Sequence, residues 1–78
     1  MKKIDVLNLL SAEPNLDAAT ISGSLDGTPE ATGMLLVRLV RQGLLCREID
    51  DRRFIYTLTA KGEARRRHLN NHERELTG

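Results

Sequence analysis

Apolar residues recur at helical spacing in the first half of the chain, interrupted by short polar connectors. Residues 3–12 carry a broad apolar face and end before Pro14, which cannot continue a helix. Leu16 is an apolar position in the connector that follows, where we expect a short strand or an apolar plug. Asp17 then suits the N-cap of a second helix, in which Gly23 weakens the helix and favours close contact with a neighbouring helix.

The clearest helix start in the chain is Thr28-Pro29-Glu30. Threonine caps a helix, proline fits its first position, and glutamate favours the positive end of the helix dipole. We predict a third helix that runs to about Gln42, with Gly43 in the left-handed conformation that closes many helices. The periodicity of this helix turns two leucines towards the core and a third towards its margin, namely Leu36 and Leu39, and Leu35.

Beyond residue 44, β-branched and aromatic residues predict two strands, at 45–49 and 53–58, with the charged segment 50–52 between them. Thr59 then caps a last helix, predicted from Ala60 to about Leu76. The order of the elements predicts a single small α+β domain over residues 1–78. Its parts are a pair of helices at about 17–42, a two-stranded ribbon at about 45–58 and a C-terminal helix at about 60–76.

The net charge of +1 is distributed unevenly along the chain. Residues 41–67 hold eight Lys or Arg and four Asp or Glu, a net charge of +4, whereas residues 1–40 have a net charge of −2. The positive charge therefore lies on the end of the third helix, the ribbon and the start of the last helix. Such an asymmetry suits a polyanionic partner.

Several functional classes lack their sequence signals. Cys46 is the single cysteine, so no internal disulfide can form, and we expect it to be a small buried residue. No apolar run is long enough to cross a membrane, and Asp5 interrupts the segment where a signal peptide would need its apolar region, so we expect a cytoplasmic protein. The chain has neither a recognisable nucleophile motif nor a phosphate-binding glycine loop, and we predict no enzymatic activity and no cofactor.

The last predicted helix carries two further patterns. His68 and His72 are four residues apart and Glu75 extends their face, which is a spacing that zinc ligands use. On so polar a helix we interpret them as surface histidines and predict no metal site. The same helix is the candidate element for a homodimer, through a set of residues at 4-3-4 spacing: Arg65, Leu69, His72 and Leu76.

The order helix, tight turn, helix, charged ribbon, helix resembles a winged helix-turn-helix domain over residues 17–67. Within it, Asp51-Arg52-Arg53 followed by Phe54-x-Tyr56-x-Leu58-Thr59-x-x-Gly62 resembles the wing of the multiple-antibiotic-resistance (MarR-type) regulators. The resemblance implies that the third helix enters the major groove of DNA as a recognition helix. It also implies that Asp51 orients Arg52 or Arg53, and that this arginine enters the minor groove or clamps phosphate.

Alignment on the family pattern places Thr32 and Leu36 inward. It turns a set of residues without Arg, Lys, Asn or Gln towards the groove: Thr28, Pro29, Glu30, Gly33, Met34 and Val37. On this alignment Thr28 bonds to a phosphate or base, and Met34 or Val37 touches a thymine methyl. Glu30 either accepts from cytosine or simply repels phosphate. The flanking cations Arg38 and Arg41 suit phosphates, and Arg47 lies on the strand that leads into the wing.

Two hypotheses follow from this face. The first is a DNA-binding transcriptional regulator, with helix 28–42 in the major groove of double-stranded DNA and wing 50–53 on the backbone or minor groove. The alternative is a protein-interaction module that docks a partner through the apolar strip of Met34 and Val37.

Overall fold

The computed structural model describes the backbone of residues 1–77 and the side chains of residues 1–71. The strands in this range form one antiparallel sheet in the order β1-β3-β2. The elements follow the predicted order: α1 Lys3–Ala12, β1 Leu16–Asp17, α2 Ala18–Ser24, α3 Pro29–Arg41, β2 Leu45–Asp50, β3 Arg53–Leu58 and α4 Ala60–Thr77. The predicted α+β winged-helix fold is confirmed, and Leu16 lies in a short strand.

Side-chain caps fix where α2 and α3 begin. Asp17 Oδ1 accepts a hydrogen bond from the Thr20 amide at 2.8 Å, and Thr28 Oγ1 accepts one from the Ala31 amide at 3.2 Å. Each cap satisfies one of the amides that the first turn of a helix leaves without a partner. Both predicted helix starts are confirmed.

One apolar core joins the helices to the sheet. Thr32, Leu36 and Leu39 face this core, as predicted, and Leu35 lies at its margin. Burial of an aliphatic side chain of this size stabilises a fold by about 2 kcal/mol, so the core holds α3 firmly against the sheet. Its buried apolar residues come from α1, α2, α3, the turn after α3, β2 and β3: Val6, Leu7, Leu10, Ile21, Leu36, Leu39, Leu44, Leu45 and Tyr56.

A tight junction joins the end of α3 to the start of α4. Gly43 has a φ of +77°, the left-handed conformation predicted for it. Thr59 Oγ1 donates to the Gly43 carbonyl at 2.7 Å and accepts from the Gly62 amide at 2.9 Å, while the Thr59 amide donates to the Leu44 carbonyl at 3.1 Å. Gly62 is buried directly against that Leu44 carbonyl. The turn after α3 and the first turn of α4 are therefore bonded as one unit.

An ion-pair cluster ties α4 to α1. Arg66 donates to both carboxylate oxygens of Glu63, at 2.6 and 2.9 Å, and Arg67 Nε donates to one of them at 3.1 Å. These bonds, that of Arg66 above all, lower the pKa of Glu63 to about 2, so the carboxylate stays ionised at neutral pH. Arg66 also reaches Asn8 Oδ1 of α1 at 3.5 Å, and Asn70 donates to the same oxygen at 3.1 Å.

The predictions that Gly23 makes a close helix contact and that Cys46 is buried are wrong. The dimer surface on α4 remains a prediction. No atom lies within 4 Å of the point where a Cβ on Gly23 would sit, so this glycine makes no close helix contact. Cys46 is exposed, because the alternation of β2 that buries Leu45 turns its neighbour to the uncovered face of the ribbon. Leu69, from the predicted dimer surface, packs against the core. Arg65 of that surface and His68 of the histidine pattern are exposed, whereas the side chains of three further members lie outside the described residues: His72, Glu75 and Leu76.

Candidate nucleic-acid interface

The outer face of α3 forms one continuous surface. Met34 is 68% exposed and Val37 38% exposed, on the side of the helix opposite Leu36 and Leu39. They lie in an open groove of about 500 Å³. Its wall holds every predicted groove-facing residue except the cap Thr28, together with the two arginines predicted to contact phosphates: Pro29, Glu30, Gly33, Met34, Val37, Arg38 and Arg41. The structure thus brings the predicted residues of this helix together on one side, with the two arginines in its last turns.

Gly33 lies in the middle of this face. No atom lies within 4 Å of the point where its Cβ would be, so the fold itself has room for a side chain there. A glycine in an exposed helix interior costs about 1 kcal/mol relative to alanine. Its effect is to leave the backbone of α3 bare between Pro29 and Val37, where a partner can approach it closely.

The wing is a hairpin with a two-residue turn. Asp50 pairs with Arg53 at the end of the ladder, which leaves Asp51 and Arg52 as the turn. Both have positive φ, 49° and 71°, as a type I′ turn requires. Neither is a glycine or an asparagine, the residues that occupy this conformation at lowest cost. The wing therefore carries an exposed arginine at its tip at the expense of backbone strain.

Arg53 has a different partner from the one predicted. Its Nη1 donates to Asp17 Oδ2 at 3.1 Å, so the carboxylate beside it comes from the start of α2 and not from Asp51. Asp17 can serve two roles because Oδ1 caps α2 while Oδ2 binds the arginine. Hydrogen bonding from Thr20 first, and then the charge of Arg53, lowers the pKa of Asp17. The sequence interpretation missed Asp17 in this role, since the two residues are 36 positions apart.

Two substitutions separate the roles of Asp17. Asp17→Ala removes both the cap and the ion pair, and we expect it to lower the thermal midpoint by about 5 °C. Asp17→Asn keeps a good cap and removes only the charge, so its loss should be much smaller. Because folding lowers the pKa of Asp17, the advantage of the native protein over Asp17→Asn should exist at neutral pH and vanish as acid protonates the carboxylate. Equal midpoints for the two variants in a melting series would show that the cap contributes nothing.

Arg47 stacks on an aromatic ring of the wing. Its guanidinium carbon lies 4.3 Å from the centroid of Phe54, on the strand opposite. The register explains the pair, since Arg47 faces Tyr56 across the ribbon and Phe54 is the diagonal neighbour on the same face. Stacking restrains the side chain while leaving its in-plane N–H donors able to bind an anion. This role of Phe54 was not predicted, although the strand alternation contains the signal for it.

Other kinds of site find no support in the part of the chain that is described. No helix there is long and apolar enough to cross a membrane. Among the side chains of residues 1–71, no three of the His, Cys, Asp and Glu residues lie close enough together to hold a metal ion. Exposed arginines lie on the outer face of α3 and on the wing, at Arg38, Arg41, Arg52 and Arg53. The helices and the β-hairpin wing that carry them define a winged-helix protein.

Comparison with known proteins shows which winged-helix proteins this chain resembles. Neither a protein-family model nor a curated protein sequence matches the chain. Among solved structures, the PcaV transcriptional regulator of Streptomyces coelicolor is 31% identical and matches with a TM-score of 0.90 over 96% of this chain and 55% of its own. A MarR-family regulator of Silicibacter pomeroyi is also 31% identical, with a TM-score of 0.85 over 94% of this chain and 51% of its own.

A third match extends the comparison. MepR, a transcription regulator of the Staphylococcus aureus multidrug efflux pump MepA, is 26% identical, with a TM-score of 0.85 over 96% of this chain and 58% of its own. The chain therefore has the winged-helix fold of MarR-family transcription regulators, as the wing motif indicated. It spans little more than half the length of these proteins.

Proposed function

We propose that this protein is a cytoplasmic DNA-binding transcriptional regulator that places α3 in the major groove and its wing on the flanking backbone or minor groove. The observation that carries the proposal is the joint exposure of Arg38 and Arg41 on α3 and of Arg52 and Arg53 on the wing. Its support is the match to transcription regulators over nearly the whole chain. A polyanion that contacts both elements would neutralise these cations together.

Each element has a distinct part in the proposed complex. The first turns of α3 face the base edges, as in other recognition helices, and its last turn brings arginines to the phosphates. At the wing, Arg52 extends from the turn, Arg53 is held by Asp17, and Arg47 is restrained by Phe54. Restraint of long side chains before binding reduces the entropy that binding costs.

We also propose that the protein binds DNA as a homodimer. A single module of this size covers a small DNA surface, whereas two copies read two half-sites and multiply the specificity. The C-terminal helix α4 remains the proposed dimer element. Its first turns are already packed against the core through Leu69 and against α1 through Arg66. The proposed contact between copies therefore involves the outer side of α4, where Arg65 is exposed.

The direct test is binding of duplex DNA by the protein and by the double variant Arg52→Ala/Arg53→Ala, followed by fluorescence anisotropy over a series of salt concentrations. Loss of two phosphate contacts should weaken binding and reduce the slope of log K against log salt by about two. Arg67→Ala is the control, since it removes a positive charge from α4 at an exposed residue outside the proposed dimer surface and should leave the slope unchanged.

Unchanged affinity and slope in the wing variant would refute the assignment of the wing. Failure of the native protein to bind any duplex, even at low salt, would refute the proposed function and leave the protein-docking alternative, which Met34→Asp would then test.

A further inference from the structure

The part of α3 that faces the bases in the proposed complex has no side chain that donates strongly to a base. Pro29, Gly33, Met34 and Val37 are apolar or bare, and Glu30 is an acceptor when ionised. Thr28 has only a neutral hydroxyl donor, and its Oγ1 is held at the helix start by the Ala31 amide. Guanine presents two acceptors in the major groove and is read best by a cationic or amide donor. The first turns of α3 offer guanine no such partner.

The same surface offers apolar contact at close range. Met34 has more than half of its surface exposed and Val37 lies one turn further along the same face. Beside them, Gly33 presents bare backbone with open space around it. A helix without a side chain at this position can sit closer to the floor of a groove, which brings Met34 and Val37 within reach of it.

The charged residues beside Met34 and Val37 indicate what kind of partner binds this apolar strip. Arg38 and Arg41 line the same groove as Met34 and Val37, at the C-terminal end of α3. Cations beside an apolar strip complement a surface that presents apolar groups between rows of phosphates. The major groove of DNA is such a surface wherever thymine occurs, since the thymine 5-methyl is the apolar group that the four bases display there.

We propose that Met34 and Val37 read thymine methyl groups, with Gly33 permitting the close approach, so that the protein selects A·T base pairs in the major groove by apolar contact. The inference rests on the proposed function, because it requires α3 to lie in that groove. Glu30 does not contribute to this selection, since its carboxylate can accept from the amino group of either adenine or cytosine.

Removal of the methyl groups alone tests the proposal. The probes are a duplex of alternating dA and dT and the same duplex with deoxyuridine in place of every thymidine. The two have the same hydrogen-bonding groups in both grooves and the same phosphates. Burial of one methyl group is worth about a four-fold difference in affinity. The native protein should therefore bind the thymine duplex at least about four-fold more tightly, at one fixed salt concentration.

Substitutions show which residues cause the preference for the thymine duplex. Met34→Ala and Val37→Ala should each reduce the ratio between the two duplexes, and the double variant should abolish it; both side chains are exposed, so the fold should persist. Arg52→Ala should weaken binding to both duplexes by the same factor. Equal binding of the two duplexes by the native protein, with Arg52→Ala still weakening both, would overturn the methyl readout and leave the proposed function standing. Absence of binding to either duplex would overturn both.

Discussion

Gly62→Ala is expected to lower the free energy of unfolding by about 3 kcal/mol, which is a large part of the stability of so small a domain. The added Cβ would fall on the Leu44 carbonyl oxygen and 2.8 Å from Leu58 Cδ1. The carbonyl cannot move away at low cost, because it accepts the hydrogen bond of the Thr59 amide at the start of α4. The methyl group therefore forces α4 away from the turn that follows α3.

Urea unfolding followed by circular dichroism measures this loss. Gly23→Ala is the matched control, because it makes the same chemical change in a helix where no atom lies within 4 Å of the new Cβ. That variant should gain about 1 kcal/mol from the better helix propensity of alanine. The two substitutions should thus act with opposite signs. A Gly62→Ala protein as stable as the native one would show that α4 is free to shift at this junction.

Arg52→Gly is expected to make the protein more stable and a weaker binder of DNA. Arg52 has a φ of 71°, and relief of that strain by glycine should raise the free energy of unfolding by about 1 kcal/mol. Loss of the guanidinium at the wing tip should reduce affinity for duplex DNA about ten-fold, if the tip contacts the minor groove or a phosphate as proposed. If the wing tip binds DNA as proposed, this strain exchanges stability for function.

Asp51→Gly separates the two effects. Asp51 occupies the other left-handed position of the turn, with a φ of 49°, so its replacement by glycine should also stabilise the protein, though by less than Arg52→Gly because aspartate tolerates this conformation better than arginine. It removes a negative charge, however, and affinity for DNA should stay the same or rise. Parallel unfolding and anisotropy measurements on both variants make the comparison. A loss of affinity of the same size in Asp51→Gly would attribute the effect to turn geometry and not to the arginine.

The sequence predicted most of the fold because its local signals agree with one another. The cap and proline at Thr28-Pro29 and the positive φ of Gly43 mark the two ends of α3 through short-range chemistry, which needs no knowledge of the tertiary structure. The inward positions Leu36 and Leu39 follow from helical periodicity alone. The outer face of α3 was predicted for the same reason, since a helix with one buried face must expose the other.

Short-range sequence signals of this kind could not predict the partner of Arg53. Asp51 is close in sequence, but in the turn it lies at a left-handed position while the arginine lies on β3. Asp17 reaches Arg53 because β1, only two residues long, pairs with β3. A strand this short has too few positions to show an alternating pattern, so its register could not be inferred. Cys46 was misjudged for a related reason, since the face of a ribbon that remains uncovered depends on the packing of the whole sheet.

The central place of β3 in the sheet also has a geometric consequence. β1 pairs with β3 through Asp17 and Ile55. Because Asp17 is the N-cap of α2, the start of α2 is held beside β3 at a point three residues from Arg52. A strand rises about 3.3 Å per residue, so this interval is about 10 Å. If one residue were added to each strand of the wing, every side chain between the insertion and the tip would change to the other face of the ribbon. Two added residues in each strand would preserve the faces and lengthen the wing by about 7 Å. In the proposed complex with DNA, the length of β3 would therefore set how far the wing reaches beyond this anchor point, and that length could change only in steps of two residues without exchanging the faces.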